Sequence, residues 1–411
     1  MGRCLTPTSV KNTGGSSWGG ATGVNRSWTR GDSIRTSVAG VIVLGLLAWA
    51  YVLSSNAETG GRASFSLLIG LALGIVFERG RFCFFCIFRD SIESRKNNGF
   101  LSVITALAVG AIGYAIVFGM YLPDTSGEYL PPGAHIGPTS WVLAVAALAF
   151  GFGMALSGAC ISGHLYRIGQ GSLRAIPALI GVLIGLGVGF ITWNTLYLRA
   201  IQEAPTLWLP HYIGYAGSLA VTLAVLGVIA YFLLKSNTES APEKVSGLAV
   251  LRSKLSPATT GALVGVIGTI AYMRIEPLGV TRQLSSLSRK AFENQSLLPE
   301  TINGLDTLAG CVGLVTETIS NNGWLIIGFV LASFAAALSG NRFKFEIPTI
   351  RNSSTALVGG VLMGWGSMTA LGCTVGVLLS STQAFAVSGW VFFIFAFLGV
   401  YLGIKAKVHT L

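Results

Sequence analysis

The sequence predicts an all-α integral membrane protein. It should hold about nine to ten transmembrane helices with short re-entrant or broken helices, in two inverted pseudo-symmetric repeats. Three observations predict it. Of 411 residues, 52% are hydrophobic and only 10% charged, whereas an ordinary soluble domain carries about 25% charged residues. No charged residue lies between Arg351 and Lys405, and none between Glu128 and Arg167 apart from two histidines. Both stretches exceed one span and hold glycine-rich breaks. A glycine–cysteine pattern also occurs twice with identical spacing.

A helix needs roughly 20 apolar residues to cross the hydrocarbon core. Candidate spans fall near 38–54, 65–78, 100–121, 140–157, 174–196, 214–234, 258–273, 324–340, 355–370 and 388–403. Counted from Arg62, the segment before Glu78 reaches only about 22 Å at 1.5 Å per residue. Short apolar segments beside glycine-rich breaks imply discontinuous helices, which a membrane tolerates only where they are buried in protein or line a cavity.

The net charge of +11 does not point to nucleic acid, because the basic residues sit between apolar runs. Arg26, Arg30 and Arg35 precede the first span. Arg79 to Lys96 follow the second, Lys235 to Lys254 the sixth, Arg342 to Arg351 the eighth, and Lys405 and Lys407 the last. This bias places both termini in the cytoplasm. The loop 274–323, with Arg274, Arg282, Arg289 and Lys290, runs against it. Residues 1–37 read as a disordered basic tail and 38–64 as an extra N-terminal helix. That helix has a second reading as a signal peptide, with a weak cleavage site at Ser55-Asn56-Ala57. The remaining division is a first repeat over 65–213, a linking helix and cytoplasmic loop over 214–257, and a second repeat over 258–411.

The repeat is carried by Gly151, Gly153, Cys160 and Gly163, and again by Gly364, Gly366, Cys373 and Gly376. Each half also opens with an apolar helix that ends in a charged turn, Glu78 to Cys83 and Arg274 to Arg282. Five spans separate the halves, and an odd offset turns the second copy upside down. Inverted repeats with broken helices at mid-membrane are the architecture of secondary transporters. For the glycines alone, close helix packing explains the pattern as well. A cysteine in register in both copies favours function. A thiol is a weak donor with a polarizable sulfur, suited to a soft sulfur-containing anion.

Cys83 and Cys86 form a C-x-x-C without thioredoxin-like surroundings. The four histidines show no ligand spacing with the cysteines, so no metal or other cofactor is expected. His164, four residues after Cys160, could be a polar group of the pore, with a helix cap or solvent contact the favoured reading. Arg79, Arg81, Arg89 and Arg167 flank the glycine–cysteine segments and could draw an anion inward, although topology alone accounts for any single arginine. No G-x-x-x-x-G-K-[ST] loop occurs, so the chain does not itself drive transport with ATP.

At these residues the sequence resembles the YeeE/YedE family of bacterial sulfur transport proteins. Glu78 to Cys83, running on to Phe88-Arg89-Asp90, resembles the family's R-G-R-F-C…F-R-D. Leu156 to Gly163 with Tyr166 to Gly171 resembles G-G-C-x-x-G…Y-R-x-G-E-G, with Gln170 in place of the acidic residue. Leu278 to Thr281 resembles L-G-I-T. Phe343-Lys344-Phe345 with Arg351 resembles a basic turn, and Gly359 to Gly366 with Gly372-Cys373 resembles G-G-x-L-M-G-x-G…G-C. The match covers roughly 65–403 in order.

The resemblance implies an hourglass permease, not an enzyme, in the bacterial cytoplasmic (inner) membrane. Its substrate would be thiosulfate or a related sulfur anion, passed between cysteine thiols. It carries over to Cys160 and Cys373 directly and to Cys83. The glycines beside them, Gly158, Gly163, Gly372 and Gly376, complete the expected substrate-binding set with Arg81 and Arg167. Cys311 matches no motif. A small sulfurtransferase-like cytoplasmic carrier is an expected partner. The alternatives are a transporter of another sulfur or selenium compound, and a membrane thiol-disulfide oxidoreductase using Cys83 and Cys86 with Cys160 or Cys373.

Overall fold

The computed structural model describes residues 29–55, 60–127, 129–238, 253–305, 308 and 318–410. Among them the chain is helical, with only two isolated bridges, Ser172 to Glu346 and Trp208 to Ala386. The helices are α1 (Arg30–Ser54), α2 (Gly60–Gly80), α3 (Phe84–Ser94), α4 (Asn98–Tyr121), α5 (Trp141–Ser157), α6 (Ile161–Gly169) and α7 (Ala175–Leu196). They continue as α8 (Leu209–Lys235), α9 (Pro257–Arg274), α10 (Arg282–Glu293), α11 (Asn321–Ser339), α12 (Ile350–Thr369) and α13 (Val387–Lys405). A π-helix, Thr374–Ser381, follows α12.

Among the described residues eight helical stretches are long and apolar enough to cross a membrane, and nine if α12 and the π-helix, bent by 43°, count as one span. Each of the ten candidate segments is a helix. α9 is too polar for that count, since Thr259, Thr260 and Thr269 interrupt it, yet it runs from one end of the bundle to the other. At its start Leu255 N–H donates to the Arg79 carbonyl, and near its finish the Tyr272 hydroxyl donates to the Pro132 carbonyl.

The structure alters three expectations. Helix α1 begins at Arg30, inside the segment read as a tail, because Thr29 and Asp32 form a capping box. Helix α2 begins at Gly60 and takes in Arg62, whose charge acts on Glu276. Within the segment read as a loop, 274–323, lies α10, and its Arg289 pairs with Glu293 at 2.7 Å while Arg282 pairs with Glu276. The bulk of the tail, the Asn56-Ala57 of the cleavage reading and the centre of the 235–257 linker lie outside the described residues.

The bundle has two distinct ends. One gathers Arg79 against Ser253, Arg95 against Thr238, and Lys344 and Glu346 against the Gln170–Leu173 turn. The other holds the loop 122–140, the turn 202–208 and the start of α10, joined by Thr139 to Pro205 and Leu209 to Phe385. We call them the basic end and the far end.

Small residues let the spans close on one another. α7 packs on α12, α2 on α11, and α5 on both α12 and α13. A Cβ at Gly153 would lie 2.6 Å from the Gly359 carbonyl oxygen, and the reciprocal contact is the same. Gly151 and Gly366 likewise abut backbone carbonyls of α13 and α5. The first two glycines of each G-x-G-x6-C-x2-G copy are thus packing residues, as interhelical small residues are in membranes generally.

Candidate functional site

Among the described residues, four helices start again after a break in mid-course. In the first half, α2 ends at Gly80 and α3 starts after Cys83, while α5 ends at Ser157 and α6 starts after Cys160. In the second half, α10 starts after Thr281, and the π-helix starts after Cys373. Each of these four residues is the N-cap of the element that follows. The first backbone N–H groups of a helix have no partner inside it and carry partial positive charge.

The first pair of breaks lies at the basic end. Arg81 sits in the turn with a left-handed φ of +51°, and the Cys83 N–H donates to its carbonyl at 2.8 Å. Phe82 and Phe84 fix the turn from both sides. Phe82 packs on Phe77 at 4.9 Å and on Phe84 at 5.4 Å, both rings fully buried. Gly158 takes φ +86° at the end of α5, which only glycine adopts without cost. The chain then reverses into Cys160. The Sγ atoms of Cys83 and Cys160 face each other at 4.0 Å, both wholly buried. Cys160 Sγ also accepts the Gly163 N–H at 3.3 Å and lies 3.3 Å from the Ser162 hydroxyl. Gly163 makes the juxtaposition possible: a Cβ there would lie 2.7 Å from the Cys83 sulfur.

Arg167 braces this centre. Its guanidinium donates to the Gly158 carbonyl at 2.9 Å and to Cys86 Sγ at 3.0 Å. Two other arginines of the sequence motifs are bound elsewhere, Arg79 to the Ser253 carbonyl at 3.0 Å and Arg89 to Asp90 at 2.6 Å. Glu78, fully buried, takes a bidentate pair from Arg342 at 2.6 and 2.7 Å and a third hydrogen bond from Gln170 at 3.2 Å. Gln170 donates through its amide, so Glu78 is the carboxylate that Arg342 and Gln170 share. Arg174, just beyond α6, is pulled down to about 10 by burial and then by the charge of Arg167. His164 is buried in α6 with Nε2 unpartnered, so of its expected places solvent is the one the structure removes.

The second pair of breaks lies toward the far end and holds one thiol. Cys373, buried at 1% exposure, follows Gly372, and the Val377 N–H donates to its carbonyl at 2.7 Å. The Ser380 hydroxyl donates to the Leu278 carbonyl at 2.9 Å and ties the two breaks together. The loop 122–140 covers them: His135 Nδ1–H donates to the Gly376 carbonyl at 2.9 Å, and the Ser381 hydroxyl donates to the His135 carbonyl. Burial holds His135 down at about 4, neutral at physiological pH. A cavity of about 30 Å³ lies between this loop and Thr369–Leu371, Val377 and Ser388, room for about one water molecule.

The structure therefore brings together Cys83, Cys160, Gly163, Gly158 and Arg167, and sets Cys373, Gly372 and Gly376 at the other break. Cys83, Cys160 and Cys373 are free thiols, so no disulfide joins Cys83 to Cys86. Cys311 lies outside the described residues. Among the described residues no group of three His, Cys, Asp or Glu side chains could hold a metal ion. The contact of Cys83 with Cys160 could not be read from residues 77 positions apart. Thr281, at the N-cap of α10, was not singled out from the sequence, although it follows Glu276 at the interval at which Cys83 follows Glu78.

The profile of a family described as sulphur transport matches residues 79–402. The thiosulfate transporter TsuA of Escherichia coli (strain K12) is 27% identical over 358 residues, which is 82% of this chain and 92% of that protein. Its namesake from Spirochaeta thermophila is 27% identical over 347 residues, 81% of this chain and 95% of that protein. The probable transporter YedE of Escherichia coli (strain K12) is 27% identical over 186 residues, 45% of this chain and 43% of its own length.

Proposed function

Because this chain belongs to the sulphur transport family, a family of membrane proteins to which its apolar helices also fit it, we propose that it is a permease importing a small inorganic sulfur anion, with thiosulfate the first choice. The observation that carries the reading is the pair of free thiols, Cys83 and Cys160, 4.0 Å apart at the starts of two broken helices. Half-helix N-termini attract anions, and thiols give the terminal sulfur a soft surface with weak donors. Cys373 stands at the corresponding position of the other break. The path would run from the far end past Cys373 to Cys160 and Cys83, with the broken helices of the two halves meeting as an inverted repeat.

Several weak sites suit transport better than one tight site, since the ion must leave as readily as it enters. All three thiols are sealed from solvent, so passage requires the ends to open in turn. The basic end would face the cytoplasm of a bacterial inner membrane, where a sulfurtransferase-like carrier could take the ion and keep its gradient inward. No reaction is needed: Cys83, Cys160 and Cys373 serve as contacts and are unchanged at the end of each passage.

The test is uptake of labelled thiosulfate by cells lacking other sulfur importers, comparing wild type with Cys83→Ser, Cys160→Ser and Cys373→Ser at matched expression. Uptake by wild type that falls at least about tenfold in Cys160→Ser, one hydrogen-bonding contact to a charged group, supports the thiol path. Uptake unchanged in all three variants refutes it. Absence of uptake in wild type refutes the substrate.

A further inference from the structure

We infer that Thr281 is the fourth lining residue of the path, a hydroxyl that donates to an oxygen of the anion while Cys373 meets its sulfur. The inference rests on the transport reading above and names how the far-end site recognises its substrate.

The argument starts from register. Glu78 and Cys83 are separated by the same interval as Glu276 and Thr281, and both glutamates are held by arginines, Arg342 and Arg282. Cys83 is the N-cap of α3, and Thr281 the N-cap of α10, a helix of 12 residues. Cys83 faces the thiol of Cys160. Thr281 lies against the thiol of Cys373. The two breaks thus carry the same arrangement with one exchange, a thiol at the basic end for a hydroxyl at the far end.

The Thr281 hydroxyl has no structural duty that accounts for it. A threonine at an N-cap ordinarily accepts a hydrogen bond from the first turn. Thr281 makes no such bond. Its side chain is fully buried, and its oxygen has no hydrogen-bond partner of ordinary geometry. Buried hydroxyls without partners are rare, because each forfeits its hydration with nothing in return. The neighbouring hydroxyl of Thr374 is buried and unpartnered too. An anion at this break would complete both.

The chemistry of the pair then sets the substrate class. A hydroxyl is a hard donor that suits an oxyanion oxygen, and a thiol is a soft group that suits sulfur. An ion with a sulfur at one end and sulfonate-like oxygens at the other engages both at once. An ion of oxygens alone leaves the thiol unused.

The experiment measures initial rates of labelled thiosulfate uptake by the full chain in proteoliposomes, for wild type, Thr281→Ser and Thr281→Val, with the melting temperature of each. Thr281→Val should raise KM about tenfold, the value of one hydrogen bond to a charged group, while Thr281→Ser stays within about twofold of wild type. A well-folded Thr281→Val at the wild-type KM overturns the inference while leaving the transport reading intact. Loss of rate in both variants at constant KM, with lowered melting temperatures, assigns Thr281 a packing role and overturns it as well. Wild type without uptake overturns the transport reading, and the inference falls with it.

Discussion

The two constrictions are built on one plan and held in different ways. At the basic end, two thiols meet, and the glutamate that precedes them is tied across the molecule to Arg342, 264 residues away. At the far end, a thiol meets a hydroxyl, and the corresponding Glu276 is tied to Arg282, only six residues on. The basic-end pair is deeply buried on the carboxylate side, with Glu78 at 0% exposure, whereas the far-end pair is about one-fifth exposed on both sides. The difference teaches that one glutamate ties distant elements of the bundle together while the other braces its own turn, so the far-end break relies on Ser380 against Leu278 and His135 against Gly376 for its long-range ties.

The sharpest way to break this comparison is to neutralise each glutamate. Glu78→Gln leaves the buried Arg342 charge without its counterion and should lower stability by about 3–5 kcal/mol. Glu276→Gln removes a partly exposed pair and should cost about 1 kcal/mol or less. Detergent melting curves of the two variants would show it, and equal losses would mean that the far end is fastened as firmly as the basic end.

Acid should separate the ends next. His135 is held at about 4 in the folded protein against 6.5 when exposed, so the unfolded chain takes up the proton first. Stability is therefore complete above pH 6.5 and falls as pH drops toward 4, by up to about 3 kcal/mol. Melting curves at pH 7.5, 5.5 and 4.5 should show this loss in wild type and a smaller one in His135→Gln. A variant as acid-sensitive as wild type would relieve His135 of that role.

The smallest effect tests the fit at the basic end. Gly163→Ala puts a methyl group 2.7 Å from the Cys83 sulfur. It should push the two thiols apart at a cost of about 1–3 kcal/mol, with uptake reduced more than folding. A variant with wild-type uptake and melting temperature would show that the thiols have slack that the structure does not display.

Much of the fold was legible because a membrane imposes it. Long uncharged runs such as 352–404 have no other stable home, and the helices of the bundle fall where those runs fall. Helix α10 was not legible: its sequence, RQLSSLSRKAFE, is too polar to signal a span. It is stabilised instead by the Arg289–Glu293 pair and by the Ser288 hydroxyl on the Leu183 carbonyl. The thiols themselves stood out by repeat and by flanking glycine, but their pairing did not. Cys160 meets Cys83 because the starts of α3 and α6 come together, a tertiary fact with no local signature. The roles of the arginines divided in the same way. Charge pattern could not tell Arg167, which donates to Cys86 and to the Gly158 carbonyl beside the thiols, from Arg79, which holds the Ser253 carbonyl.

The burial of Cys83, Cys160 and Cys373 has a kinetic consequence. A sulfhydryl sealed from both sides reacts with an alkylating reagent only during the fraction of time that its side is unlatched. The observed labelling rate is then the intrinsic rate multiplied by the opening equilibrium, as in protection from hydrogen exchange. Read residue by residue, the three sulfurs become clocks placed at two depths, and the ratio of their rates reports which door of the molecule stands ajar more often.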